Sequence, residues 1–126
     1  MQNIPFKKFI PGIAWFFLIL ILIGLPGDDL PKMDTWFQRW NIDKLIHFTL
    51  FGILAYLFIL PFKRSGITNK EKHQYFLRIC FAVILWGLTT EFIQEYYVPH
   101  RSFDLLDWAA DSLGAVLALF FAKKWQ

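Results

Sequence analysis

The sequence has few charged residues and almost no cysteine. Only 18% of its 126 residues are Asp, Glu, Lys or Arg, and its one cysteine, Cys80, cannot form an intrachain disulfide. Cysteine use therefore indicates no redox compartment. The chain also lacks a polar stretch long enough for a separate soluble domain. Its apolar fraction is 56%, whereas soluble domains average about 45–50%.

The apolar residues form four blocks, each close to the ~20 residues that cross a hydrocarbon core as a helix. We predict an all-α integral membrane domain over residues 1–126. Its four transmembrane helices are expected at about 9–25, 42–62, 75–96 and 103–122. The first block follows Lys7 and Lys8 but precedes no small-residue cleavage site, so we expect an uncleaved signal anchor. A soluble bundle of unusually apolar helices is the alternative.

The segment between the first two blocks contains apolar residues at helical spacing. Met33, Trp36, Phe37 and Trp40 are spaced i, i+3, i+4 and i+7. This pattern favours a short interfacial helix on the outer leaflet, where Trp side chains are common. An irregular loop with anchoring aromatic residues fits equally well.

The basic residues are distributed unevenly between the two sides of the membrane. Nine of them fall at the termini and around the loop between blocks two and three, and four fall on the other side. The positive-inside rule then predicts that both termini are cytoplasmic. The expected partner of these residues is the lipid bilayer, and no nucleic-acid partner is predicted. Nine of the ten acidic residues lie on the outer side.

Three groups of ionisable residues lie near the predicted outer helix ends, where a charge in hydrocarbon costs at least about 2.5–3.5 kcal/mol. Because the groups fall at the same depth, we expect their side chains to converge on one outward-facing site. Asp104 has an alternative role as a cap of the fourth helix. His47 taken alone is better explained as a hydrogen-bonded structural histidine, whereas beside Glu91 and the aspartates the structural and functional explanations are about equal. The groups read Asp43-Lys44-x-x-His47, Glu91-x-x-Gln94-Glu95 and Arg101-x-x-Asp104-x-x-Asp107-x-x-x-Asp111.

Several of these residues are donors suited to a phosphate. Arg101 offers a planar, bidentate set of N–H groups, and Lys44 and His47 add further donors. The candidate binding residues are Lys44, His47, Gln94, Arg101 and Asp104.

The carboxylates in these groups outnumber the bases, which favours a divalent cation held by oxygen ligands. Candidate metal ligands are Glu91, Asp107 and Asp111. The same acids are suited to general acid–base catalysis, and with them the candidate catalytic residues are Asp43, His47, Glu91, Asp107 and Asp111. The sequence contains no P-loop, HExxH or nucleophile-elbow motif, so whether the chain is an enzyme stays open.

Four motifs, in this order and spacing, resemble the VanZ-like family of small bacterial membrane proteins. The resemblance covers roughly residues 42–119 and implies a multi-pass protein of the bacterial cytoplasmic (inner) membrane. The namesake of the family is linked to low-level resistance to the glycopeptide teicoplanin. Family members commonly carry Asn where this chain has Asp111, so this chain has an additional acid. The motifs are Asp43-Lys44-x-x-His47-Phe48, Glu91-x-x-Gln94, Arg101-x-x-Asp104-x-x-Asp107 and Asp111-x-x-Gly114.

Three functions remain as alternatives. The site could bind or modify a polar headgroup of the cell envelope, such as a lipid-linked phosphate or glycan. The chain could instead be a non-catalytic accessory membrane protein whose ion pairs fix the packing of its helices. A proton- or ion-coupled transporter is the third alternative, and it would need an oligomer or a larger membrane complex because four short helices are few.

Overall fold

The computed structural model describes residues 4–25, 36–99 and 103–124, with side chains from Ile42 onward in the second range. Within these ranges the chain is helical and contains no strand, and four segments are long and apolar enough to cross a membrane. The predicted all-α architecture with four transmembrane helices is therefore confirmed. The elements are a 3₁₀ turn at Phe6–Phe9 and the helices α1 (Ile10–Ile23), α2 (Trp36–Lys63), α3 (Asn69–Tyr97) and α4 (Leu105–Lys124).

Local sequence signals set several helix starts. Pro11 occupies the first turn of α1, where its missing N–H group is not needed. Thr68 caps α3, because its hydroxyl accepts a hydrogen bond from the backbone N–H of Glu71 at 3.2 Å. Asp104 precedes α4, and its carboxylate accepts a hydrogen bond from the backbone N–H of Leu106 at 2.9 Å.

Two helices begin earlier than the apolar blocks indicate. α2 starts at Trp36 rather than near residue 42, and α3 starts at Asn69 rather than near residue 75. Residues 36–40 therefore form the first turns of α2, and not a separate interfacial helix, whereas Met33 lies outside the described residues. Hydropathy marks only the part of a helix that lies in hydrocarbon, while the backbone hydrogen bonds continue through polar turns beyond it.

The interior of the bundle is formed by one apolar stripe from each helix. Ile19, Phe51, Ile59, Phe76 and Ala115 are each at most 1% exposed. The outer faces carry large apolar side chains that are more than half exposed, an arrangement suited to contact with lipid chains. We conclude that the bundle belongs in a bilayer. Examples of these outward side chains are Phe17, Ile21, Leu45, Phe81, Leu113 and Phe120.

α2 and α4 run parallel and cross closely where a glycine of one helix faces a glycine of the other. A Cβ atom at Gly114 would collide with the carbonyl oxygen of Phe48 and lie 3.0 Å from the backbone nitrogen of Gly52. Small residues permit such an approach between membrane helices. The crossing lies about one turn beyond His47 and Asp111, so it sets how closely these two side chains meet.

Two indole groups join neighbouring helices by hydrogen bonds to backbone carbonyls. Trp15 Nε1 donates to the carbonyl of Leu50 at 2.9 Å, which joins α1 to α2. Trp108 Nε1 donates to the carbonyl of Ile84 at 2.9 Å, which joins α4 to α3. Because a buried indole N–H needs a partner, these bonds favour one arrangement of the helices over others.

Candidate functional site

One end of the bundle holds buried polar side chains from three helices. α2 and α4 begin at this end and α3 ends there. His47 and Asp111 lie well inside their spans, roughly 8–9 Å from the span starts at about 1.5 Å per residue. Polar groups at such positions are candidates for function. Among the described residues, the polar residues whose total surface is 5% exposed or less are His47, Thr90, Glu91, Gln94, Asp107 and Asp111.

Lys44 is at the centre of the outer part of this cluster, that is, the part nearest the end of the bundle. Its Nζ atom lies 2.5 Å from Asp107 Oδ1, 2.8 Å from Asp104 Oδ2 and 3.5 Å from Asp43 Oδ2. The side chains of Lys44 and Asp107 are 14% and 8% exposed, so salt screens their attraction only weakly. One ammonium group is thus shared by three carboxylates. Lys44 balances acids of the protein itself, and its donors are directed at them.

Asp104 connects all three helices of the cluster. Its carboxylate caps α4 and accepts a hydrogen bond from Lys44, while its backbone N–H donates to Glu91 Oε2 of α3 at 3.0 Å. Partial burial acts to raise the pKa of Asp104, but the hydrogen bond and charge of Lys44 outweigh it and hold this pKa below its ordinary value. Asp104 is therefore both a helix cap and a member of the cluster.

His47 lies between two aspartates of α4. Its Nδ1 atom is 2.8 Å from Asp111 Oδ1, and its Nε2 atom is 3.4 Å from Asp107 Oδ2 and 4.0 Å from Asp43 Oδ1. The imidazole is nearly parallel to the ring of Phe51, with centroids 6.3 Å apart. Both ring nitrogens thus face carboxylates, and packing against Phe51 helps to fix their direction.

Two carboxylate oxygens deeper in the cluster have no hydrogen-bond partner among the described residues. They are Glu91 Oε1 and Asp111 Oδ2, and both residues are 0% exposed. Asp111 Oδ2 is directed toward α3, since a Cβ atom at Gly87 would lie 3.0 Å from it. Gly87 stands one turn before Glu91, so this glycine gives Asp111 room beside the face that carries Glu91. A buried carboxylate oxygen without a partner is costly, and it calls for a cation, a proton or water.

The geometry brings together two sets of three residues that could hold a metal ion. One set is Asp43, His47 and Asp107, and the other is His47, Glu91 and Asp111; in each set the ligand atoms lie within 4.8 Å of one another. The second set consists of buried residues throughout. The sequence grouped Glu91 and Asp111 with Asp107, whereas in the structure His47 takes the place of Asp107 beside them.

Other residues that the sequence assigned to the site have local roles. Gln94 is 1% exposed and its Nε2 donates to the carbonyl of Ile23 at 3.4 Å, so it contacts the end of α1. Glu95 is exposed and accepts a hydrogen bond from the backbone N–H of Phe103 at 2.6 Å. Arg101 lies outside the described residues, and its predicted role at the site stays a prediction.

Two residues that shape the cluster were not singled out from the sequence. Gly87 admits the carboxylate of Asp111, and Thr90, which is 0% exposed, donates its hydroxyl hydrogen to the carbonyl of Gly87 at 2.7 Å. The sequence feature that could have identified Gly87 is its position one helical turn before Glu91, on the same face of α3. A glycine within a helix is otherwise disfavoured, which makes such a position informative.

Comparison with known proteins relates the cluster to a family. A family model described as VanZ/LLP1 matches residues 3–126, a range that includes every residue of the cluster. An uncharacterized protein of the yeast Schizosaccharomyces pombe is 34% identical over 103 residues, which is 82% of this chain. The chain spans 57% of the length of that relative. No solved structure matches the chain.

Proposed function

Since the chain belongs to the VanZ/LLP1 family, we propose that it binds the polar headgroup of a lipid-linked cell-envelope molecule at the cluster around His47. In this proposal the chain is a multi-pass protein of the bacterial cytoplasmic membrane, with the cluster on the outer side. The headgroup is a phosphate or a glycan carried on a membrane lipid. Whether binding leads to a reaction is left open by the residues present.

The observation that carries the proposal is the excess of carboxylates over bases in the cluster. Five carboxylates meet there, and three of them are buried, whereas the described bases are Lys44 and His47. The buried acids are Glu91, Asp107 and Asp111. A network that served only to pack helices would balance its charges, because an unpaired buried charge is strongly destabilising. The surplus of acid is explained if an additional group, supplied by a ligand, binds there.

The contacts of Lys44 restrict how a headgroup could be held. This ammonium group already bonds to Asp104 and Asp107, so it is poorly placed to clamp an incoming phosphate. Sugar hydroxyls can donate directly to the carboxylates, whereas a phosphate needs a cation between itself and the acids. Arg101, three residues before Asp104 in the sequence, is the remaining predicted donor for a phosphate.

The proposal is tested by lipid binding to the purified protein in phosphatidylcholine nanodiscs. We expect polyprenyl phosphate and its glycosylated form to bind at least about tenfold more tightly than polyprenol, which has the same chain without the headgroup; this corresponds to about 1.4 kcal/mol. The variant Glu91→Gln should lose most of this preference. Leu113→Ala, a lipid-facing change on α4, should keep it.

Equal binding of polyprenol and polyprenyl phosphate would contradict the proposal. The same variants can be compared in cells for tolerance of teicoplanin, the phenotype linked to the family's namesake. We expect Glu91→Gln to lower tolerance and Leu113→Ala to preserve it. Loss of tolerance in both variants at equal protein abundance would show that the phenotype does not depend on the cluster.

A structural role is the second candidate, and the contacts of Lys44 favour it. The bonds of this residue connect α2 to α4 and to Asp104, whose backbone N–H is bonded to α3. A network of this kind can specify one packing arrangement. It accounts for the outer part of the cluster but not for the two unpartnered oxygens of Glu91 and Asp111.

A further inference from the structure

We propose that His47, Glu91 and Asp111 form a site for one divalent metal ion, and that the ion pairs of Lys44 form the outer wall of this site. The inference rests on the proposed function for the role of the metal, which is to offer free coordination positions to a headgroup phosphate. Binding of the metal itself can be measured without any headgroup. The two ideas can therefore fail separately.

The first argument concerns the carboxylate oxygens that have no hydrogen-bond partner. Glu91 and Asp111 are each 0% exposed, and each has one oxygen without a hydrogen-bond partner in the described part of the chain. These two residues and His47 offer ligand atoms within 4.8 Å of one another. A metal ion held by these three residues would compensate both carboxylates and remove the repulsion between them.

The second argument distinguishes the proposed set from the alternative set of Asp43, His47 and Asp107. Asp43 and Asp107 both lie within salt-bridge distance of Lys44, which already supplies a positive charge to them. Asp43 is also 40% exposed, so water can solvate it. Glu91 has neither advantage, and Asp111 pairs only with His47, whose ring also faces Asp107. The need for a cation is therefore greatest in the inner set.

The donor set indicates the class of metal. One imidazole nitrogen and two carboxylates suit a first-row transition ion such as Mn²⁺ or Zn²⁺, whereas Mg²⁺ and Ca²⁺ prefer oxygen ligands alone. Three protein ligands leave at least one coordination position free, as in metal sites that bind an additional ligand. The bond of Glu91 Oε2 to the backbone N–H of Asp104 would orient this ligand.

The experiment is titration of the chelator-treated, detergent-purified protein with Mn²⁺, followed by electron paramagnetic resonance of the free ion. We expect one Mn²⁺ per chain, competed by Zn²⁺. Glu91→Gln and Asp111→Asn should each weaken binding at least tenfold. Glu95→Gln is the matched control, because it is the same substitution at an exposed acid one turn along α3; its Mn²⁺ affinity should change less than threefold.

Thermal unfolding of the same proteins separates metal binding from internal pairing. Glu91→Gln neutralises an acid that pairs with no described positive group, so it should leave the melting temperature of the metal-free protein unchanged or higher. Mn²⁺ should raise the melting temperature only in wild type and Glu95→Gln. If Arg101 instead compensated Glu91, then Glu91→Gln and Arg101→Met would each destabilise the metal-free protein, and the double variant would recover. That result, or the absence of stoichiometric Mn²⁺ and Zn²⁺ binding, would overturn the proposal. Lipid selectivity without metal binding would leave the headgroup site standing and reject only the metal.

Discussion

Lys44 is the residue whose contacts decide how the outer part of the cluster behaves. Its ammonium group lies against Asp107, which is 8% exposed, and it is itself 14% exposed. Substitution Lys44→Met removes the charge but keeps much of the stem, and we expect it to lower the free energy of unfolding by about 3–5 kcal/mol. The reason is that Asp107 would be left buried without its positive partner. Thermal or denaturant unfolding in detergent measures the change.

A double-mutant cycle provides the control for this prediction. Adding Asp107→Asn to Lys44→Met should recover part of the lost stability, since the unpaired charge is then gone. Lys70→Met, an exposed change at the start of α3, should stay within about 0.5 kcal/mol of wild type. If Lys44→Met behaved like Lys70→Met, the ion pairs would contribute nothing measurable and the outer wall would not be structural.

The membership of the cluster was easier to predict from the sequence than its pairings. Helical spacing and shared depth pointed to Asp43, His47 and Asp111, and the structure brings these side chains together. Spacing within one helix does not say which residue of another helix lies opposite. For that reason Lys44 was assigned to a phosphate although it pairs with acids, and Gln94 was assigned to the site although it bonds to the end of α1.

At the level of helices, the close crossing of α2 and α4 holds the cluster together. A Cβ atom at Gly114 would strike the backbone of Phe48, which cannot move aside as a side chain could. We expect Gly114→Ala to lower the free energy of unfolding by about 1–3 kcal/mol. It should also weaken Mn²⁺ binding, because separating the helices moves Asp111 away from His47.

Leu113→Ala is the matched control for this helix. Leu113 precedes Gly114 and is 56% exposed on the lipid-facing side, so truncating its side chain should change neither stability nor metal affinity appreciably. Equal effects of Gly114→Ala and Leu113→Ala on Mn²⁺ affinity would mean that the crossing does not control the site. Unfolding in detergent and the same titration provide both measurements.

Helix number followed from hydropathy, but helix length did not. The four apolar blocks correspond to α1 through α4, and their bounds agree within two or three residues at most ends. The first turns of α2 and α3 are the exceptions, because these turns are polar or amphipathic and carry no hydropathy signal. Thr68 does cap α3 by accepting a hydrogen bond from the backbone N–H of Glu71, and Thr-x-x-Glu is a capping-box pattern, so the start of α3 was present in the sequence as a capping signal.

For the whole molecule, orientation is the prediction on which the position of the site depends. Nine basic residues against four favour cytoplasmic termini. A reporter that is active only outside the cytoplasmic membrane should be inactive when fused at Gln126 and active when inserted after Pro99, between α3 and α4. The reverse result would place the cluster on the cytoplasmic side and remove the argument for an envelope headgroup.

The depth of His47 and Asp111 has an electrical consequence. A divalent ion bound by them would stand roughly 8–9 Å inside the helix starts, about a quarter of a hydrocarbon core of ~30 Å. Moving one charge through the full membrane potential changes its energy by about 2.3 kcal/mol per 100 mV, so two charges over a quarter of it change by about 1 kcal/mol. If the cluster faces the outer, positive side as proposed, a membrane potential of about 100 mV would raise the ion's affinity roughly fivefold, and collapse of the potential would lower it by the same factor.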